Sequence, residues 1–167
     1  MSLFGNIFNK KKEDESDNNK IVLVPVTGEV SDIKNCQDPV FAGEMVGRGI
    51  LIIPSEGKVY SPVDGEISML ADSKHALGIT SNSGLEILIH IGLDTVELNG
   101  EPYTAHVSAG QKVNAGDLLM DFDMAKIEAS GKSAQTPVLI TNAEDKEIKI
   151  LAKGLTSHGQ ELMEVIG

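Results

Sequence analysis

Tryptophan is absent, aromatic residues make up only 4% of the chain, and there is one cysteine, Cys36. A lone cysteine excludes an intrachain disulfide, and without a Cys-x-x-Cys pair there is no sign of a structural zinc or a redox couple. The fold must then rest on an ordinary apolar core, for which 167 residues suffice as one domain. A reducing cytoplasm is the expected compartment, and Cys36 reads as buried filler. No apolar run approaches a bilayer span, and the start lacks the apolar core and cleavage site of a secretory signal. Basic residues are also few: 14 Lys and Arg against 25 Asp and Glu leave a formal charge of -11. An acidic surface repels phosphate backbones, so nucleic acid is not an expected partner and a basic protein is.

What the chain does have is glycine, 17 residues of it, between short runs rich in Val and Ile. Such runs bounded by tight turns read as strands, here over residues 21–24, 49–53, 58–60, 65–70, 78–81, 85–91, 118–122, 137–141 and 148–151. Helical periodicity is convincing only over 124–130. Two echoes suggest duplication. Pro25-Val26-Thr27-Gly28-Glu29-Val30 resembles Pro62-Val63-Asp64-Gly65-Glu66-Ile67, and Gly43 to Gly49 repeats the Gly-x-x-Val-x-x-Gly pattern of Gly110 to Gly116. The expected fold is all-β, an antiparallel β-sandwich or flattened barrel with internal duplication and at most short helices. Residues 1–20 form a flexible tail ahead of a 21–167 domain. Within it Leu3 and Ile7, and Phe4 and Phe8, stand four apart beside Lys10, Lys11 and Lys12, which is compatible with a weak amphipathic membrane-surface contact.

Among four histidines, His75 and His90 stand out by context. In Leu85-Glu86-Ile87-Leu88-Ile89-His90-Ile91 the period of two puts Leu85, Ile87, Ile89 and Ile91 on one face. His90 lies on the other, and Asp94 returns to that face if the strand continues so far. On periodicity alone a structural histidine is the preferred reading of His90. His106 and His158 sit in loop-like contexts where surface histidines are the default.

The segment His90-Ile91-Gly92-Leu93-Asp94-Thr95-Val96, with Ser73-Lys74-His75 ahead of it, resembles the enzyme IIA domains of the glucose family in the bacterial sugar phosphotransferase system. Pro25 to Gly28, Asp38 to Ala42, Ser61 to Gly65, Gly110 to Asp117 and Thr136 to Val138 extend the resemblance over residues 21–166. It implies a free-standing phosphocarrier that receives phosphate on Nε2 of His90 from the histidine phosphocarrier protein and passes it to a cysteine of a sugar permease IIB domain. It further implies that His75 supports the transfer and that the Ser73 hydroxyl orients His75. Val40, Phe41, Met45, Val46 and Leu88 would form an apolar docking surface, with Asp38 and Asp94 for basic partner groups. Without the resemblance, packing would be the preferred reading of Met45 and Leu88. Some family members also bind and inhibit transporters or metabolic enzymes. No cofactor is required, although the family gives precedent for zinc held by His75 and His90 and completed by a partner's carboxylate.

The chemistry suits the residue types, since an imidazole near pKa ~6.5 is mostly neutral at pH 7 and able to attack phosphorus without a base. Competing motifs are weaker. Gly131-Lys132-Ser133 has the end of a phosphate-binding loop but Lys126 where its first glycine belongs. Met124-Ala125-Lys126-Ile127 resembles a biotin carrier except in the residues flanking the lysine. A zinc hydrolase would need a third ligand, and His90-Ile91-Gly92 is not His-x-His.

Overall fold

The computed structural model describes residues 20–167, so the expectations for the tail fall outside the described residues apart from Lys20. These residues form three antiparallel sheets. The largest has eight strands in the order β13 (Gly154–Thr156), β2 (Gly28–Asp32), β3 (Arg48–Pro54), β11 (Thr136–Ile140), β7 (Glu86–His90), β6 (Ala76–Ser81), β5 (Gly65–Leu70) and β9 (Lys112–Val113). Two three-stranded sheets complete it: β1 (Lys20–Leu23), β14 (Glu161–Ile166) and β12 (Glu147–Ile150), and β4 (Lys58–Tyr60), β10 (Leu118–Phe122) and β8 (Tyr103–Ala105). Among the described residues there are two short α-helices, α1 (Pro39–Ala42) and α2 (Met124–Ala129), and no helix long and apolar enough to cross a membrane.

The helix at 124–130 and the strands with clear apolar runs are where the sequence places them. The sequence reading has no strand at β2 and β14, of five and six residues, nor at β8, β9 and β13, of three, two and three residues, which are too short to show a period. Helix α1 was missed, although its signal is in the sequence: Asp38 caps it through Oδ1, 2.9 Å from the Val40 amide, and Pro39 opens it with no amide to satisfy.

The large sheet separates two apolar clusters. Ile50, Ile52, Ile87, Ile89, Val138 and Ile140 face the main core, and the residues between them, Leu51, Leu88 and Leu139, face the other way. There Ile33, Cys36, Phe41 and Leu93 cover them, with Leu88 partly buried at the edge. Cys36 is thus a packed apolar residue, and burial raises its thiol pKa. The strand carrying His90 has one fully buried face and a second face that ends at the small cluster.

The first echo is real structure. Tyr60 donates its amide to the Pro25 carbonyl at 2.8 Å and Leu23 donates to the Pro62 carbonyl at 2.9 Å, so the two copies hydrogen-bond to each other's turns. Each glycine of the echo opens a strand where there is no room for a side chain: a Cβ on Gly28 would lie 2.3 Å from the Ile53 oxygen, and one on Gly65 2.2 Å from the Thr80 oxygen. Gly65→Ala should therefore cost about 3 kcal/mol of stability, read as a lower urea midpoint at unchanged slope. A midpoint equal to that of the unaltered chain would show that the strand pair yields. The second echo is not repeated: Gly43 caps α1 with φ -86, whereas Gly110 has φ +91, and Gly49 lies within β3 whereas Gly116 turns at φ +93. Recurrence of the glycine pattern there reflects turn chemistry alone.

Candidate functional site

Pairing register brings the two histidines together. Antiparallel β6 and β7 set Ala76 opposite His90, and His75 stands one residue before Ala76, in the loop from β5. The Ile91 amide donates to the His75 carbonyl at 2.7 Å, extending the ladder past the strand end. Lys74 turns the chain into His75 at φ +60, a left-handed conformation that favours glycine. The rings meet edge to face, their centroids 5.1 Å apart and their planes at 78°. Phe41 of α1 is tilted against the His90 ring, with centroids 4.8 Å apart.

The hydrogen bonding of His90 defines its chemistry. Its Nδ1 lies 2.8 Å from the Gly92 carbonyl. A carbonyl only accepts, so the proton is on Nδ1 and the lone pair of the neutral ring is on Nε2. Gly92 makes this contact from a left-handed turn at φ +85, immediately after β7 ends. For that reason Asp94 does not follow the strand's alternation as the sequence suggested. It sits in the turn at φ 58, exposed and making no side-chain cap bond.

Burial lowers the His90 pKa below its ordinary value, helped by the nearby His75 ring; the Gly92 bond and the charges of Asp38 and Asp94 oppose this without cancelling it. Burial also lowers that of His75. Both rings are therefore neutral at pH 7, the state a nucleophile requires. An NMR titration should give both a midpoint below about 6.5, the value of an unperturbed imidazole. The unfolded chain then binds more protons than the native one, so these groups' contribution to stability is complete above about pH 6.5 and falls as the pH drops toward their native midpoints. A midpoint at or above the unperturbed value for either ring would contradict this.

Nδ1 of His75 is buried and has no hydrogen-bond partner. The bond expected from Ser73, a partly buried residue of the same loop, is thus not made. The Nδ1 of one ring being bonded and that of the other buried, Nε2 of each is what remains for an incoming group. Among the described residues no three His, Cys, Asp or Glu side chains converge as a metal site.

Of the residues expected to form the docking surface, Val40 and Val46 are exposed and Met45 strongly so at 77%, while Phe41 is buried and Leu88 packs on the small cluster. The expected surface is therefore mixed: Val40, Met45 and Val46 are open, whereas Phe41 and Leu88 support. The sequence reading gave no role to Val96, half exposed in the turn after Asp94, although it ends the very motif that marked His90. Asp38 and Asp94 face a polar cleft of about 350 Å³ with Gln37, Pro39, Leu93, Gly131, Lys132 and Ser133, of which His90 is not a lining residue.

The other candidates lie elsewhere or are otherwise engaged. His106 bonds Asp121 through Nε2 at 2.6 Å, and His158 stacks on Tyr60. Gly131 follows the end of α2 rather than leading into a helix, and Lys132 is paired with Glu97, so Gly131-Lys132-Ser133 does not form a phosphate loop. Lys126 is an exposed residue of α2.

The family model described as phosphoenolpyruvate-dependent sugar phosphotransferase system, EIIA 1, matches residues 20–146. A protein named PTS system glucose-specific EIIA component from Bacillus anthracis is 49% identical over 140 residues, covering 84% of this chain and 85% of the relative. Its namesake from Oceanobacillus iheyensis is 42% identical over 166 residues, covering 98% and 99%. The solved structure of glucose permease IIA from Mycoplasma capricolum matches with a TM-score of 0.84 at 35% identity, over 89% of this chain and 96% of that one.

Proposed function

Because this chain belongs to the EIIA 1 family of the phosphoenolpyruvate-dependent sugar phosphotransferase system, we propose that it carries phosphate on Nε2 of His90. The donor in this reading is the histidine phosphocarrier protein, and the acceptor is a cysteine of a sugar permease IIB domain. The names of the relatives make glucose the first sugar to test.

The observation that carries the reading is the bond from His90 Nδ1 to Gly92 O, which leaves Nε2 as the nucleophile. Neutral Nε2 attacks the donor's phosphohistidine phosphorus; the new nitrogen–phosphorus bond forms as the donor's breaks, and the donor ring leaves with its electron pair. As a cation while phosphorylated at Nε2, the His90 ring keeps Nδ1–H on the Gly92 carbonyl. His75 then donates Nε2–H to the phosphoryl oxygens. That tautomer needs Nδ1 as an acceptor, and a turn of the Ser73 hydroxyl onto this orphaned atom would supply the missing donor. Asp38 and Asp94 attract a basic partner surface, and Val40, Met45, Val46 and Val96 give it apolar contact.

His75 and His90, with a carboxylate from a partner, would hold a zinc ion where one binds, and no step of the transfer requires it. Transporters or metabolic enzymes bound in a regulatory role would use the same surface at the cytoplasmic side of the membrane. Incubation with purified general phosphotransferase proteins and phosphoenolpyruvate should add one phosphoryl group to the intact mass. An unchanged mass would reject the reading.

A further inference from the structure

We propose that Tyr103 and Thr95 are positioning residues that hold the Ile91–Gly92 peptide plane and, through it, the reactive tautomer of His90. The Tyr103 side chain is buried and its hydroxyl donates to the Ile91 carbonyl at 2.5 Å. Thr95, also buried, donates its hydroxyl to the same oxygen at 3.0 Å. Both lone pairs of that carbonyl are then occupied. At the other end of the same peptide unit the Gly92 amide donates to the Gln135 carbonyl at 3.1 Å.

This plane is flanked along the chain by the two units that hold the histidines: the Ile91 amide, in the peptide before it, donates to the His75 carbonyl, and the Gly92 carbonyl, in the peptide after it, takes the His90 Nδ1 proton. Glycine at φ +85 offers little resistance of its own to a swing of that carbonyl, so the acceptor's direction depends on what holds the peptides on either side of Gly92: the clamped Ile91–Gly92 plane and, beyond it, the Leu93 amide bonded to the Ser133 carbonyl at 2.9 Å. Thr95 also occupies the space a side chain would need: a Cβ on Gly92 would lie 2.6 Å from its Cγ2. The Tyr103 hydroxyl remains a donor throughout the working range, because burial pushes its pKa up to about 12. Tyr103 comes from β8, in a different sheet from β7, so the plane is tied to a second layer of the fold.

The assignment concerns the His90 tautomer itself, and its consequence for rate rests on His90 being the phosphoacceptor. The test uses the full ¹⁵N-labelled chain, with two-bond ¹H–¹⁵N spectra to read which ring nitrogen of His90 is protonated. Tyr103→Phe keeps the ring and removes the donor; the Nε2–H form should grow about fivefold, the effect of losing one buried hydrogen bond. Thr95→Val should act in the same direction, and Thr95→Ser, which keeps the hydroxyl, should preserve the original pattern. Phosphoryl acceptance in Tyr103→Phe should slow in proportion to the loss of the Nδ1–H population read from the same spectra, as expected for a less populated reactive tautomer. Ring-nitrogen shifts identical to those of the unaltered chain in both Tyr103→Phe and Thr95→Val would overturn the proposal. Slower transfer without any change of tautomer would overturn it too, leaving the two residues a purely structural part. If His90 is not the acceptor, the tautomer still changes while the unaltered chain stays unlabelled or His90→Ala is labelled as fully as it is, so the two failures are distinct.

Discussion

His90→Ala should accept no phosphate when incubated with the phosphocarrier protein and phosphoenolpyruvate, while the unaltered chain is labelled fully. The loss is expected to be complete because no other histidine has an equivalent nitrogen. His106 Nε2 is bonded to Asp121, and His158 is exposed and stacked on Tyr60. His75 is nearest, but its Nδ1 lacks the bond that aims the His90 ring. Misplacement by about 1 Å already costs some 10²-fold in a reaction that depends on alignment. The variant should stay folded, since His90 is only half buried and ends its strand. Thermal melting of the variant controls for that. Full labelling of a folded His90→Ala protein would remove His90 from the reaction and with it the proposed function's site.

In His75→Gln, phosphate should still reach His90 but leave it at least about 10²-fold more slowly toward the permease cysteine, the usual cost of removing one donor to developing charge. The ring of His75 meets that of His90 edge on, and in the proposed function it donates a hydrogen bond to the phosphoryl group once that group is attached. As the nitrogen–phosphorus bond loosens, charge builds on the transferring oxygens and the hydrogen bond from His75 gains strength, which favours the transition state for departure. Arrival can draw on groups of the donor protein instead. Rapid-quench measurements in both directions separate the two steps. Unchanged delivery would mean that the pair is only packed together, and equal slowing of both steps would show that His75 does not divide the labour in this way.

A large part of the site was legible because its signals are local. Strict alternation from Leu85 to Ile91 fixed which face of β7 is buried, and the structure has Leu85, Ile87, Ile89 and Ile91 inside and His90 outside. The Asp38-Pro39 step carried the sign of a helix start that the apolar pattern of so short a segment could not show. Asp94 shows the opposite case: alternation carried past Gly92 put it on a strand face, and one left-handed residue ended the strand before it. Ser73 has the hydroxyl that the resemblance assigns to His75, yet that bond is not made, because possession of a donor two residues away says nothing of where a loop aims it.

By itself the sequence determined the all-β class, the faces of the strands and the recurrence of the first echo. Each of these follows from spacing within a few residues or from glycine and proline chemistry, which the local chain dictates, whereas the two histidines were marked by the family resemblance. Only the tertiary structure decided that Ala76 pairs with His90 and so sets the rings 5.1 Å apart. It alone showed that the second echo differs in backbone, that Phe41 backs His90 from α1, and that Tyr103 reaches the Ile91 carbonyl from another sheet. Strand register and hydrogen bonds between layers are selected by the packing of the whole core, and no window of neighbouring residues contains that information.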